Sequence, residues 1–300
     1  MKGNGLWVEK YGVASVAMAF TLWGMLPLYY QYLPAAPADE LLSIRIVASV
    51  PLALIMVWLF GNPAEFKQVL NDKTSLRYTL LASLMMSVCW TAFTWAMTHE
   101  RVFDASLGFF ISPLTLVALG VIAYRERLTR HQKIALVFAT AGLLVLISQS
   151  EQAPVAALLM AIFFALYAWC KRKCHYSWTM GLFLEVLMLS PLALIYLVYV
   201  ETSRGTQMLA GDWTLVAFYL GSAPMFLLPL LFYCIAIRHV SMAKIGLLQY
   251  IEPSIQFFIA LALFNEPLNP VKLASFILIW SGLTISVVGP RYRLARGAAR

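Results

Sequence analysis

The chain has 300 residues, of which 61% are hydrophobic and 12% charged, with a mean hydropathy of +0.77 and a net charge of +8. An average soluble domain is about 25% charged, so a soluble globular fold is excluded and the chain folds against lipid. The basic balance does not imply nucleic acid, because such binders gather Lys and Arg on one soluble surface, whereas here these residues separate apolar runs.

About 20 apolar residues suffice to cross a hydrocarbon core of about 30 Å, and ten such runs follow one another. The first five take residues 11–32, 40–60, 78–98, 104–124 and 132–149. The second five take 154–171, 177–200, 213–236, 241–264 and 271–289. The first run is too long and too aromatic for a cleaved signal, and no small-residue cleavage site follows it. The longest connections, 61–77 and 201–212, leave no room for a soluble domain. With the amino terminus inside, 18 of the 22 Lys and Arg fall in cytoplasmic segments, three fall outside, and Arg45 lies within a span. The positive-inside rule then puts both termini in the cytoplasm and makes the number of spans even.

The two halves share a pattern. Ala105, Gly108, Pro113, Glu126, Leu128, Gly142 and Leu143 match Ala243, Gly246, Pro253, Glu266, Leu268, Gly282 and Leu283. The offset grows from 138 to 140 between the glycine and the proline, so the second copy carries two extra residues there. The first unit takes residues 1–149 and the second 150–300, which ends in a short basic tail. Five spans is an odd number, so the second copy enters the membrane from the opposite face. The fold class is therefore an all-α integral membrane protein of ten transmembrane helices in two inverted five-helix repeats, an organisation typical of secondary transporters.

The segments YGVASVAMAFTLWGMLPLYYQYL (11–33), ELLSIRIVAS (40–49), DASLGFFISPL (104–114), RERL (125–128) and ALYAWCKRK (165–173) carry a resemblance, as do GLFLEVLMLSPLALIYL (181–197), PLLFYCIAIRHV (229–240) and IGLLQYIEPSIQFFIALALFNEPL (245–268). Together they resemble EamA repeats of the drug/metabolite transporter superfamily, with the wording closest to the RarD-type subfamily. The resemblance implies a ten-helix bundle around a central cavity, in a prokaryotic inner membrane, moving small metabolites or drugs such as amino acids or amphenicols. Ile44, Cys89 and Glu252 depart from that pattern, where histidine, asparagine and a small neutral residue are expected.

Four charges lie inside spans, and each costs about 2.5–3.5 kcal/mol on insertion scales, so each is expected to face a cavity or a partner. Glu40 sits near the outer edge and reads as interfacial. Arg45, five residues further in, either snorkels or faces the interior. Glu185 lies roughly 14 Å along its helix from the basic segment, too deep for so short a side chain to reach water. Spans 2 and 7 are equivalent, so Glu185 either pairs with Arg45 as a structural lock or titrates and binds a substrate amine. Glu252 corresponds to Ser112 in the first repeat. It either lines a cavity as a cation or proton site, or stays neutral and donates to a carbonyl freed by Pro253. Pro113 and Pro253 are expected to break their helices.

Candidate substrate-binding residues are Trp23, Arg45, Trp90, Trp95, Tyr167, Glu185, Tyr233, Gln249, Tyr250 and Glu252, an apolar aromatic pocket with few polar groups. The site is expected from spans 1, 3, 4, 6, 8 and 9, with Glu126 and Glu266 as end caps. Spans 5 and 10 carry neither internal charge nor proline, so they face lipid or a second protomer, which leaves a homodimer open. Cys89, Cys170 and Cys234 fall in spans, and Cys170, Cys174 and His175 lack a fourth metal ligand. Neither a metal nor a cofactor is expected. No nucleophile arrangement or phosphate loop points to an enzyme. A channel wants a selectivity ring and a receptor an exposed domain, so the leading reading is a transporter working by alternating access, by proton antiport or facilitated diffusion. Its partners are a small-molecule substrate and the bilayer.

Overall fold

The structure, a computed structural model, describes residues 2–33, 36–62, 64–69, 71–99, 101–149, 154–264 and 267–298, without the side chains of 2–10, 97, 98, 102, 287 and 289–298. Glu266 therefore lies outside the described residues. Span 1 is α1 (Lys2–Gly24) followed by the short α2 (Leu26–Tyr30), and span 2 is α3 (Ala38–Phe60). A surface helix, α4 (Glu65–Val69), leads into span 3, α5 (Lys73–Thr98). Spans 4 and 5 are α6 (Val102–Tyr124) and α7 (Arg130–Ile147). The second half holds span 6, α8 (Val155–Lys173), span 7, α9 (Trp178–Ser203), the single turn α10 (Gln207–Ala210) and span 8, α11 (Trp213–Ala236). Span 9 is divided into α12 (Met242–Gln249) and α13 (Ile251–Ala262), and span 10 is α14 (Pro270–Ala298). Among the described residues, nine spans are long and apolar enough to cross a membrane, and Pro270–Ser286 adds a shorter apolar helix as the tenth.

Helix starts are written locally. Asp72 accepts from Ser75 N–H at 2.9 Å, Thr129 and Gln132 form a capping box, and Ser177 and Asp212 cap α9 and α11. Between these caps the outer faces carry bare apolar side chains, such as Ile122 at 78% and Ile195 at 68% exposure. Hydrocarbon, not water, is the medium those faces suit.

Close helix approaches reveal the inversion. A Cβ on Gly142 would come 2.8 Å from the Ser275 carbonyl, and one on Gly282 would come 2.9 Å from that of Ala135. Moving up α7 thus means moving down α14, so equivalent spans run antiparallel across a small-residue contact. Spans 4 and 9 cross in the same sense, Gly246 against Pro113 and Gly120 against Ala243. The remaining packing comes in mates under exchange of the halves: α1 on α11 answers α8 on α5, and α3 on α11 answers α9 on α5.

The two matched prolines behave differently. α6 runs unbroken through Pro113, contrary to expectation, while span 9 turns at Tyr250, three residues before Pro253. In α6 Ser112 Oγ bonds back to Gly108 O at 2.7 Å and Thr115 Oγ1 to Ser112 O at 2.8 Å, so the hydroxyls flanking the proline bond within their own helix.

Candidate functional site

One cavity of about 510 Å³ lies between spans 1, 3, 4, 6, 9 and 10. Tyr30, Gln31, Phe264 and Lys272 line it at the span ends away from the basic loops, which sets its mouth on that face. Aromatic rings make most of the wall: Trp23, Trp90, Phe109, Phe110, Phe164 and Phe257. Glu252 and Gln249 sit deep in the cavity, at the turn between α12 and α13. Gly24 lets span 1 close on that turn, since a Cβ there would come 3.0 Å from Glu252 O.

Glu252 is only 6% exposed, and among the described residues no side chain or backbone donor reaches its carboxylate and no cation pairs with it. Gln249 Oε1 and Trp90 Nε1, also on the lining, find no hydrogen-bond partner among the described residues. The other reading of Glu252, a neutral acid donating to a freed carbonyl, has no such hydrogen bond here. Deep in the cavity one acid, the Gln249 amide and an indole N–H stand among aromatic faces, with Ser106, Ser112 and Gln256 also on the lining and Tyr30, Gln31 and Lys272 at the mouth.

Arg45 stands behind the wall. Its Nη1 donates to Tyr30 OH at 2.9 Å, and its guanidinium lies 4.5 Å from the Trp90 ring centroid and 4.8 Å from that of Phe226. It is 4% exposed and has no acid partner among the described residues. The expected pairing with Glu185 is absent, for a geometric reason. Each residue is the eighth of its helix, roughly 10 Å from the start of an antiparallel partner about 34 Å long, which leaves about 13 Å between them along the axis. Each Cβ also tilts toward its own helix start, away from the other.

Glu185 is held by Lys171 Nζ, which donates to Oε1, and by Tyr167 OH, which donates to Oε2 at 3.3 Å. Neither Glu185 nor Tyr167 lines the cavity. Phe20, Trp23, Phe164 and Tyr233 pack ring against ring between that ion pair and the cavity, with Tyr167 and Tyr233 stacked at 6.3 Å. Lys171 is the last residue of the expected span 154–171 and counts with Arg172 and Lys173 among the cytoplasmic cations, but α8 extends through Lys173 and Lys171 is 5% exposed.

Other expectations move as well. Trp95 is 41% exposed and stacks on His99 away from the cavity. Tyr250 is fully buried between spans, its OH donating to Phe110 O at 3.3 Å. Span 8 supplies no lining residue, and span 10, expected to face lipid, supplies Lys272 and Phe276. Glu40, at the outer end of α3, is wholly buried there, since it accepts from Gln207 N–H and Met208 N–H at the start of α10. Glu126 caps the other repeat, accepting from Met242 N–H and Ala243 N–H at 2.8 and 2.9 Å. At the basic face, Ser75 Oγ and Asp72 Oδ2 both approach Nδ1 of His175, at 3.2 and 3.9 Å. A catalytic relay needs the two on different ring nitrogens, so this cluster is a turn.

The EamA-like transporter family matches residues 10–148 and 153–288. A Bacillus subtilis protein named as an uncharacterized transporter, YojE, is 32% identical over 92% of this chain and 93% of its own. Protein RarD of Escherichia coli is 28% identical over 96% and 97% of the two chains, and protein RarD of Streptomyces exfoliatus 32% identical over 89% and 85%. A solved crystal structure at 15% identity superposes with a TM-score of 0.72 over 94% of this chain and 98% of its own, which shows the shared fold. With a family matched twice along the chain and relatives matched over nearly their whole length, the chain belongs to the EamA-like transporter family.

Proposed function

We propose that this membrane transporter takes a small amine-bearing or otherwise cationic solute into the cavity, with Glu252 as its counter-charge, and moves it by alternating access of the two repeats. The observation that carries the reading is a buried, unpartnered carboxylate deep in an aromatic cavity. Its volume of about 510 Å³ suits a small metabolite. The faces of Trp23 and Trp90 attract a cation as the carboxylate does. A proton and a cationic solute compete for the same charge, which is the physical basis for antiport. The basic loops favour a cytoplasmic location for their face, so the cavity faces outward, in the inner membrane of a prokaryote. The aromatic packing beneath Trp23 favours a gated pathway over an open channel.

The test is reconstitution into liposomes with an imposed pH gradient and a solute screen that includes amino acids and amphenicols. We expect a flux that the gradient drives and that Glu252→Gln abolishes. A flux indifferent to both would remove Glu252 and proton coupling from the mechanism. No flux for any solute would overturn the transport reading.

A further inference from the structure

The basic half of the molecule holds a second polar cluster, separated from the cavity by the packed rings. Lys171 and Glu185 form an ion pair with both side chains under a tenth exposed, and the Tyr167 hydroxyl completes the carboxylate. On its far side lies a small void lined by Cys174, Tyr176, Cys234 and Arg238, next to the basic face. Joining two helices through a buried ion pair is a poor route to stability, because an apolar pair of the same volume holds them as well or better. The pair differs from an apolar contact in one respect: it is strong when dry and weak when wet. A contact with that property suits a seal that must open.

Inverted symmetry gives the pair its place in the cycle. Glu185 occupies in α9 the position that Arg45 occupies in α3. On the open side, span 1 meets Arg45 through Tyr30, at the cavity wall. On the closed side, span 6 meets Glu185 through Lys171 and Tyr167, and none of the three lines the cavity. In inverted-repeat transporters the two repeats exchange conformations, so the half that is sealed in one state is open in the other.

Resting on the transport reading above, we infer that Lys171 and Glu185, keyed by Tyr167, are the latch of the inner gate. The latch is closed in this conformation and breaks when the cavity turns toward the basic face. The two residues are positioning residues: they set which face is open, and Glu252 meets the solute.

Three native thiols report on this. Cys89 lines the cavity, whereas Cys174 and Cys234 line the void beneath the latch. Intact protein in oriented vesicles is treated with a membrane-impermeant maleimide from either face, and modification is followed by peptide mass spectrometry. In Lys171→Met we expect modification of Cys174 and Cys234 from the basic face to rise at least tenfold, while Cys89 modification from the other face falls. Lys171→Arg, which keeps the charge and donors, is expected within twofold of wild type. Rates unchanged in Lys171→Met, or all three thiols rising together as in general loosening, would overturn the latch. The labelling needs no solute, so a failed transport assay and a failed latch are told apart.

Discussion

Spans 4 and 9 start from the same pattern, a glycine, a proline and an acid at the end, and reach different shapes. Pro113 comes five positions after Gly108, and Pro253 seven positions after Gly246. Two extra residues turn a continuous α-helix by about 200°, which would set the glycine and proline on opposed faces. Span 9 resolves the conflict by turning at Tyr250, and the inserted stretch carries Gln249 to the cavity. Span 4 has no such conflict and stays continuous through its proline. The difference teaches that a proline in a membrane helix permits a break, while the register of its neighbours decides whether one occurs.

The largest expected effect follows from the one acid this asymmetry sets in the cavity. Glu252→Gln keeps the shape and removes the charge, and we expect solute flux in proteoliposomes to fall at least a hundredfold. Ser112, its equivalent in the first repeat, bonds only to its own helix. Ser112→Ala is therefore expected to retain flux within about threefold. Comparable losses in the two variants would erase the distinction between the spans.

The matched glycines sharpen the comparison at the level of stability. A Cβ on Gly246 would come 2.5 Å from the Pro113 carbonyl and 2.9 Å from Val117 Cγ2, where backbone cannot yield. A Cβ on Gly108 would meet Met160 Cε and Sδ at 2.9 Å, the far end of a flexible side chain. Gly246→Ala should then cost about 1–3 kcal/mol and Gly108→Ala distinctly less. Thermal unfolding of both in detergent checks the order, and equal losses would contradict it.

The prolines themselves give a smaller contrast. Pro253→Ala restores an N–H that the Gln249 carbonyl can accept from, drawing α12 and α13 toward one helix. A severalfold loss of flux with unchanged stability is expected, while Pro113→Ala should leave flux within twofold. The same liposome assay reads both.

Much of the fold was legible because lipid imposes a simple code. Span lengths, loop charge and an odd repeat each bear on topology, and Glu252 was legible as a deep acid beside a proline. Arg45 and Glu185 are equivalent by repeat without being close. Equivalent residues of antiparallel spans meet only at mid-helix, and these lie a third of the way in from opposite ends. Lys171 was hidden in a basic run whose chemistry resembles a loop. Its Cβ tilts toward the start of α8, hence into the membrane, while that of Glu185 tilts back toward the basic face. Span 10 carries no internal charge or break, so nothing in its pattern marked Phe276 as a cavity residue.

The two corners joining the first spans of each repeat offer the finest test. The corner after span 6 is pinned: the one O–H of Tyr176 is shared between the carbonyls of Val69 and Asp72, 3.0 Å from each, and Arg238 donates to Tyr176 O. The corner after span 1 borders the cavity mouth at Gln31. Burial pushes the Tyr176 phenol up to about 12, from an ordinary value near 10. The protonated phenol is thus favoured by folding, so its contribution is complete below about pH 10 and is lost as pH rises through 12. Tyr176→Phe removes this shared hydrogen bond and should cost about 1 kcal/mol at neutral pH. It should also lose stability less steeply than wild type between pH 10 and 12, as thermal unfolding across that range would read. Equal slopes would mean that the corner is not pinned through this hydroxyl.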